Sequence, residues 1–292
     1  MASKYVIGID VGGTWIRVGL IDAQLNVIKK TSAKTSNFTN ILSYLNGLKE
    51  MLQQVDPQKL ANQIGMVVPG PFKEQMTHFK DATNVPFLGG VAIAEIRAFF
   101  PDYKIVFEND VNVVALLESS RKEYQHLNSL IYMTVSTGIG SGIVINGEIW
   151  QGASGYAGEV GNMIVARGRI WEDLCSGLAL EKTAKSLYGE DAKAKTLFEA
   201  YIQKDKQALE AIQGWFDTFT DALASLIHII NPEILILGGA VIENNPWLIE
   251  ALKKQTKPKL LENLRENLKI ESSHYGSDSG LLGGARLCLI KP

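Results

Sequence analysis

The chain has 292 residues, about twice the usual length of a single domain, and 46% of them are hydrophobic, which is ample for real cores in two lobes around a cleft. Lys and Arg number 29 against 31 Asp and Glu, so the formal charge is −2 and no basic field is available to hold a nucleic-acid backbone or an anionic membrane; a small soluble partner fits better. The two cysteines, Cys175 and Cys288, make neither a disulfide framework nor a metal-binding array and read as buried thiols in a reducing cytoplasm.

Met1 to Lys4 lead into the apolar run Tyr5 to Ile9, too short for a signal segment, and Asp10 with two glycines follows at once, so neither export nor membrane spanning is expected. Tyr5 to Ile9 reads as a strand, Gly12-Gly13 as a turn and Arg17 to Ile21 as the returning strand of a hairpin. Helical patterning over Ile41 to Val55 and Val91 to Phe100 alternates with short apolar strands at Ile64 to Val68 and Ile105 to Phe107, the order of an α/β sheet. A second hairpin follows, Leu130 to Val135 and Ser141 to Ile145 around Ser136-Thr137-Gly138-Ile139-Gly140, closing at the Asn146-Gly147 turn; two such units suggest two related lobes. The charged stretch Lys182 to Lys206 reads as a solvated helical face. An amphipathic helix from Lys206 to Ile230, with Trp215, Phe216 and Phe219 as core, stops at Asn231-Pro232 and feeds the strand Ile234 to Leu237, which ends in Gly238-Gly239. With no flexible linker in view, the lobe boundary is expected near residues 111 to 116. That gives a small N-terminal α/β lobe over 1–113, to which a C-terminal helix at about 277–292 returns, and a large C-terminal α/β lobe over 114–276.

Asp10-Val11-Gly12-Gly13-Thr14 puts a carboxylate at a strand end, before residues that let the backbone approach a ligand. Glycine amides can face phosphate oxygens, Thr14 adds a hydroxyl donor and Asp10 can hold Mg²⁺ or its water shell; a ligand-free tight turn is the alternative. Thr137-Gly138-Ile139-Gly140 invites the same pair of readings. Neither is a Walker A loop or a Rossmann fingerprint, since no Gly-Lys-Ser/Thr follows and each turn leads to a strand. Glu108-Asn109-Asp110 follows a buried strand, so a carboxylate able to take a proton and an amide able to bind hydroxyls are presented together at a sheet's carboxyl edge; a helix N-cap is the alternative.

Together these motifs resemble the ROK family of sugar kinases and repressors, within the actin-like ATPase superfamily, over almost the whole chain. IGIDVGGT (Ile7 to Thr14) is similar to the family's first phosphate motif, FENDVN (Phe107 to Asn112) to its catalytic-base segment and TGIGSG (Thr137 to Gly142) to its second phosphate motif. GASGYAGEVG (Gly152 to Gly161) resembles its sugar-contact segment, and PEILILGGA (Pro232 to Ala240) its adenosine-site strand and turn. The resemblance implies a two-lobed actin-like (ribonuclease H-like) α/β fold with a central cleft, and ATP-dependent phosphorylation of a hexose, at C6, with Mg²⁺. It further implies Asp110 as general base, Asn109, Glu159 and, from a further loop, Asn84 as sugar ligands, and Gly238 and Gly239 against the adenosine. The phosphates would lie at Asp10, Gly12, Gly13, Thr14, Thr137, Gly138 and Gly140. The family often forms dimers, so a homodimer is among the expected forms.

Two departures stand out. Asn162 replaces the His that the family commonly carries after Glu-x-Gly, and the three-cysteine zinc loop that usually follows is absent. Arg167-Gly168-Arg169-Ile170 leads straight to Trp171-Glu172-Asp173-Leu174-Cys175-Ser176-Gly177, which resembles the stretch after that loop and makes Glu172 the second sugar-binding Glu. No structural zinc is expected. Asn162 leaves the sugar's C1 and C2 contacts open: glucose leads as the commonest family substrate, with mannose, fructose and N-acetylmannosamine behind it. A repressor reading requires a DNA-binding extension, for which four residues before the first strand leave no room, and a non-transferring sugar sensor or ATPase has no need of Glu108-Asn109-Asp110 with Glu159.

Overall fold

The computed structural model describes residues 4–70, 72, 76–79, 82, 84–166 and 168–290. Their contacts divide them into two compact units. The first takes the chain up to Gln125, Glu148–Ala157 and the residues from Tyr275 on; the second takes His126–Gly147 and Gly158–His274.

In the first unit β1 (Tyr5–Val11) and β2 (Trp15–Asp22) form the antiparallel hairpin expected from the glycine turn, and β3 (Val27–Lys34) pairs antiparallel with β2. After α1 (Ile41–Val55), β4 (Gln63–Val68) lies parallel to β1; after α2 (Ile93–Phe99), β5 (Lys104–Asn109) lies parallel to β4 and runs directly into α3 (Asp110–Ser119). The sheet order is β3-β2-β1-β4-β5. Strand alternation divides its residues between two faces. Ile7, Ile9, Val11, Ile16 and Val18 join the core that contains Tyr44 and Leu48 of α1, while Val6 and Ile21 pack with Leu281 and Ala285.

Those last residues belong to the chain's final helix, α11 (Ser279–Ile290). It lies so close to the sheet that a Cβ on Gly65 would sit 1.8 Å from the Gly284 carbonyl oxygen, and one on Gly284 would sit 2.6 Å from that of Gly65. Glycine at both positions is therefore a requirement of backbone-to-backbone packing rather than of turn geometry.

The second unit repeats the scheme. β6 (Ser129–Val135) and β7 (Ile139–Ile145) form an antiparallel hairpin, and the chain then turns through Asn146 and Gly147 (φ 53° and 77°) into β8 (Glu148–Ile149), which belongs to the first unit. A ribbon of β9 (Ile164–Ala166) and β10 (Arg169–Ile170) precedes the helices α4 (Trp171–Cys175), α5 (Gly177–Tyr188), α6 (Ala194–Ile202) and α7 (Lys206–Ile230). β11 (Ile234–Gly238) lies parallel to β6, and past α8 (Ala240–Glu243), α9 (Leu248–Thr256) and α10 (Glu262–Asn267) β12 (Ile270–Ser272) lies parallel to β11. Four strands of its sheet follow the order β12-β11-β6-β7. Each unit thus carries an antiparallel hairpin whose first strand is extended outward by two parallel strands. α7 buries Ile212, Trp215, Phe216, Phe219, Leu223 and Ile227 on one face and ends where Asn231 turns left-handed (φ 49°).

One expectation needs correction, and one strand went unread. The stretch from Lys182 to Lys206 is not one solvated face: it comprises the end of α5, a turn and α6, which buries Leu197 and Phe198 against the core. The polar strand β3 was not anticipated, because VIKKTSAK alternates between exposed and half-buried side chains at a sheet edge and carries little apolar signal. Among the described residues no helix is long and apolar enough to cross a membrane.

Candidate active site

In the first unit Asp10 stands near the end of β1, directly across from Arg17 of β2, and Arg17 Nη1 donates to its Oδ2 at 2.9 Å. Burial raises the Asp10 pKa above the ordinary carboxylate range; Arg17 pulls it back and Asp278 pushes it up again. The carboxylate lies against the first turn of α11, where a Cβ on Gly280 would come within 2.7 Å of Asp10 Cγ, so only glycine leaves room for it. Past Asp10 the turn is pinned from outside. Thr35 Oγ1 donates to the Gly12 carbonyl at 2.6 Å and the Thr35 N–H to that of Thr14 at 3.0 Å, while Gly13 and Thr14 stay exposed. Asn84 is exposed beside this turn, its Cβ 3.0 Å from where a Gly13 Cβ would be. The structure thus brings Asp10, Gly12, Gly13, Thr14 and Asn84 together.

At the carboxyl end of β5, Glu108 is 1% exposed and gathers amide donors: the Asn109 N–H at 2.9 Å, Asn112 Nδ2 at 3.0 Å and Gln151 Nε2 at 2.6 Å. Asn109 is the N-cap of α3. Its Oδ1 accepts from the N–H groups of Val111 and Asn112, and its Nδ2 donates to the Gly70 carbonyl at 3.0 Å. The capping alternative is therefore realised, and a sugar hydroxyl meeting this amide finds its oxygen already engaged. Asp110 opens the helix and is exposed, its carboxylate at the positive end of the α3 dipole. Gln151 also reaches the Phe72 carbonyl at 3.2 Å, tying the loop after β4 to this cluster. Sequence reasoning missed both Gln151 and Arg17. Hairpin register would have found Arg17, since a turn centred between Gly13 and Thr14 sets it opposite Asp10.

In the second unit the glycine turn between β6 and β7 rests on the start of α5, the Gly177 N–H donating to the Ser136 carbonyl at 2.7 Å. Glu172, in the first turn of α4, accepts the Ile139 N–H on Oε2 at 2.8 Å, and a Cβ on Gly138 would lie 2.4 Å from that oxygen. Glu172 therefore joins the glycine turn to the segment carrying Glu159 and Asn162. Glu159 precedes a single 3₁₀ turn, Val160–Asn162, and Asn162 at its end is exposed. Desolvation, and after it the Glu172 carboxylate, raise the Glu159 pKa. Gly140, on β7 and paired with Thr134 of β6, completes the motif.

Beside Thr137 opens a cavity of about 440 Å³, the size of a small-molecule site, whose walls include Ser136, Lys195, Phe198, Ala240, Asn244 and Asn245. Gly238 and Gly239 do not line it but directly precede Ala240, which does. Gly239 (φ 87°) sits where a Cβ would lie 2.5 Å from Thr134 Oγ1, and the chain passes from there to Ala240. Lys195 and Phe198 went unnoticed in the sequence because they lie in the stretch read as solvated. Among the described residues no three His, Cys, Asp or Glu side chains cluster as a metal site.

Residues 6–291 match the model of the ROK family. The chain belongs to the ROK family. Among its relatives is a glucokinase of Thermotoga maritima, 26% identical over 311 residues that cover 98% of each chain. An N-acetyl-D-glucosamine kinase of Histophilus somni is 27% identical over 305 residues, 97% of this chain and 98% of that one. The ROK hexokinase structure of Thermus thermophilus superposes with a TM-score of 0.83 at 26% identity, with 98% of each chain covered. The two-unit α/β architecture is the actin-like ATPase fold of these ROK proteins.

Proposed function

We propose that this ROK protein is an ATP-dependent sugar kinase that transfers the γ-phosphoryl group to a hexose, with the C6 hydroxyl as acceptor. The observation that carries the reading is Asp110: an exposed carboxylate on the first residue of α3, held by an Asn109 cap and a buried Glu108, at the carboxyl end of a parallel strand. Phosphoryl transfer asks little covalent chemistry of a protein; it asks for placement, charge neutralisation and a base beside the attacking hydroxyl. Asp110 accepts that proton. Asn84, Asn109, Glu159, Asn162 and Glu172 offer the amide and carboxylate groups that hydroxyls bind, and in Asn109 the remaining Nδ2 hydrogen is the one suited to the task. The turns at Gly12–Thr14 and Thr137–Gly140 supply backbone N–H groups to the phosphates. The cavity beside Thr137, reached by the chain just after Gly238 and Gly239, suits the adenosine. Asp10 is an oxygen ligand of the kind Mg²⁺ takes, and Gly280 makes room for its carboxylate, so Asp10 would hold the ion, which would supply neutralisation of the phosphate charge.

An N-acylhexosamine is the second substrate reading, supported by Asn162 where the resemblance to the family leads one to expect His and by a relative named N-acetyl-D-glucosamine kinase. Sugar-dependent ADP release, measured over glucose, mannose, fructose, N-acetylmannosamine and N-acetylglucosamine, tests the proposal. ADP release that no sugar stimulates overturns it.

A further inference from the structure

The buried carboxylate of Glu108 is held differently at its two oxygens. Oε1 accepts from the Asn109 N–H and from Asn112 Nδ2, both at the start of α3, while Oε2 accepts from Gln151 Nε2. We propose that Gln151 is a positioning residue for phosphoryl transfer: its side-chain amide fixes Glu108, and through it the first turn of α3 on which Asp110 stands; this rests on the kinase reading above. Gln151 follows β8 directly, and β8 packs beside α3, which brings the side chain to the β5–α3 junction from outside it.

The start of α3, the loop after β4 and the loop 151–157 all meet on this residue. Nε2 donates to Glu108 at 2.6 Å and to the Phe72 carbonyl at 3.2 Å. The Gln151 backbone carbonyl accepts the Ala157 N–H at 3.3 Å and so closes the loop 151–157, most of the segment that resembles the family's sugar-contact stretch. A primary amide has two hydrogens, and the contacts with Glu108 and Phe72 use both, so Gln151 has none to offer a sugar and acts through its partners. The neutrality of this donor also has a reason. A lysine or arginine could pair with Glu108, but it would bring a positive charge to the junction that carries Asp110 and make that carboxylate a weaker base. An amide holds Glu108 without that effect. Placement matters because a shift of about 1 Å between a base and its hydroxyl can cost on the order of a hundredfold in rate.

The test compares the wild type with Gln151→Met, Gln151→Glu and the exchange that combines Glu108→Gln with Gln151→Glu. Each is followed by thermal unfolding and by sugar-dependent ADP release from about pH 5.5 to 8.5, a range in which a coupled carboxylate pair gives up its shared proton. Both single variants keep the length of the side chain and lose the amide hydrogens. Q151M should lose about ten- to a hundredfold in kcat, with the KM for ATP within about twofold of the wild type and a loss that does not vary with pH. Q151E sets two carboxylates at hydrogen-bond distance. They share a proton at the acid end and repel each other once it leaves, so activity relative to the wild type should fall further as the pH rises. In the exchange the amide sits at the end of β5, where its oxygen still accepts from Asn109 and Asn112, and the carboxylate sits after β8. The hydrogen bond is restored, and most of the kcat lost in Q151E should return without the alkaline fall. A wild-type kcat in Q151M, a Q151E profile parallel to that of the wild type, or an exchange no more active than Q151E overturns the assignment. If one single variant does not fold, the other decides, and the exchange is judged against it. Failure of the kinase reading looks different: the wild type itself then releases no ADP on addition of any sugar.

Discussion

Asp110 has two duties available to it, closing the first turn of α3 and taking a proton, and they separate on substitution. Asp110→Asn keeps a polar side chain at the helix start, so the unfolding midpoint should move little, while kcat should fall by at least about 10²-fold with the sugar KM little changed. Turnover near that of the wild type would remove it as the base. Asn109 behaves differently because its oxygen is spent on the cap. Asn109→Asp keeps the acceptor for Val111 and Asn112 but loses the Nδ2 donor to Gly70, whereas Asn109→Ala loses both and should be the less stable of the two by about 0.5–2 kcal/mol in thermal or urea unfolding. On the proposed reading Asn162 offers the sugar a shorter amide in place of the ring expected from the family, so hydroxyls near C1 would be held less firmly and tolerance there should be broad. Asn162→His should shift kcat/KM toward glucose over mannose and N-acetylmannosamine by about three- to tenfold, one ordinary hydrogen bond, and unchanged ratios would take Asn162 out of the sugar site. The motif residues were legible in the sequence because glycine turns and Glu-Asn-Asp punctuate strand ends. What was not legible was partnership. Glu108 with Gln151, 43 positions apart, and Glu172 with Ile139, 33 apart, meet only through tertiary packing.

Among the elements, the hairpins, α1, α7 and the central strands follow from apolar periodicity and glycine, and their limits in the structure differ from those read in the sequence by a residue or two at most ends. Periodicity failed where the burden of folding is not apolar. β3 is a polar edge strand, and α6 hides Leu197 and Phe198 among lysines and acids. α11 is the opposite case, a helix rich in glycine, a poor helix former, whose stability comes from contact. The seam at Gly65 and Gly284 makes this testable. Gly284→Ala improves intrinsic helix propensity by about 1 kcal/mol but drives a methyl against the β4 backbone, so it should nonetheless lower the unfolding midpoint, with overpacking costing about 1–3 kcal/mol or more. A stabilised G284A protein would mean that α11 does not touch β4 as described. The β9–β10 ribbon yields a metal prediction: protein purified without added zinc should contain far less than one zinc per chain.

For the whole molecule, each unit holds one buried thiol, Cys288 in the first and Cys175 in the second, and burial pushes the pKa of both up to about 12. At neutral pH the reactive thiolate is scarce as well as covered. Neither thiol should be alkylated by iodoacetamide in the native protein, and each should become reactive only as its own unit opens in urea, which peptide mass spectrometry after pulse labelling can follow unit by unit. Alkylation of either under native conditions at the rate of a free thiol would contradict its burial.

The glycine seam also bears on the order in which a growing chain can fold. The face of β1 and β4 that carries Gly8 and Gly65 is covered by α11, and all of the second unit is translated in between. At about 5–20 residues per second, that interval is on the order of ten seconds. During it the first unit emerges from the ribosome with one side of its sheet unroofed, while the second unit has all its own strands and helices in hand before α11 appears. The strands of the first unit are made before the second unit, but the second is the one equipped to finish first, and a nascent chain halted short of Ser279 should leave β1 and β4 open to chaperones or to proteases.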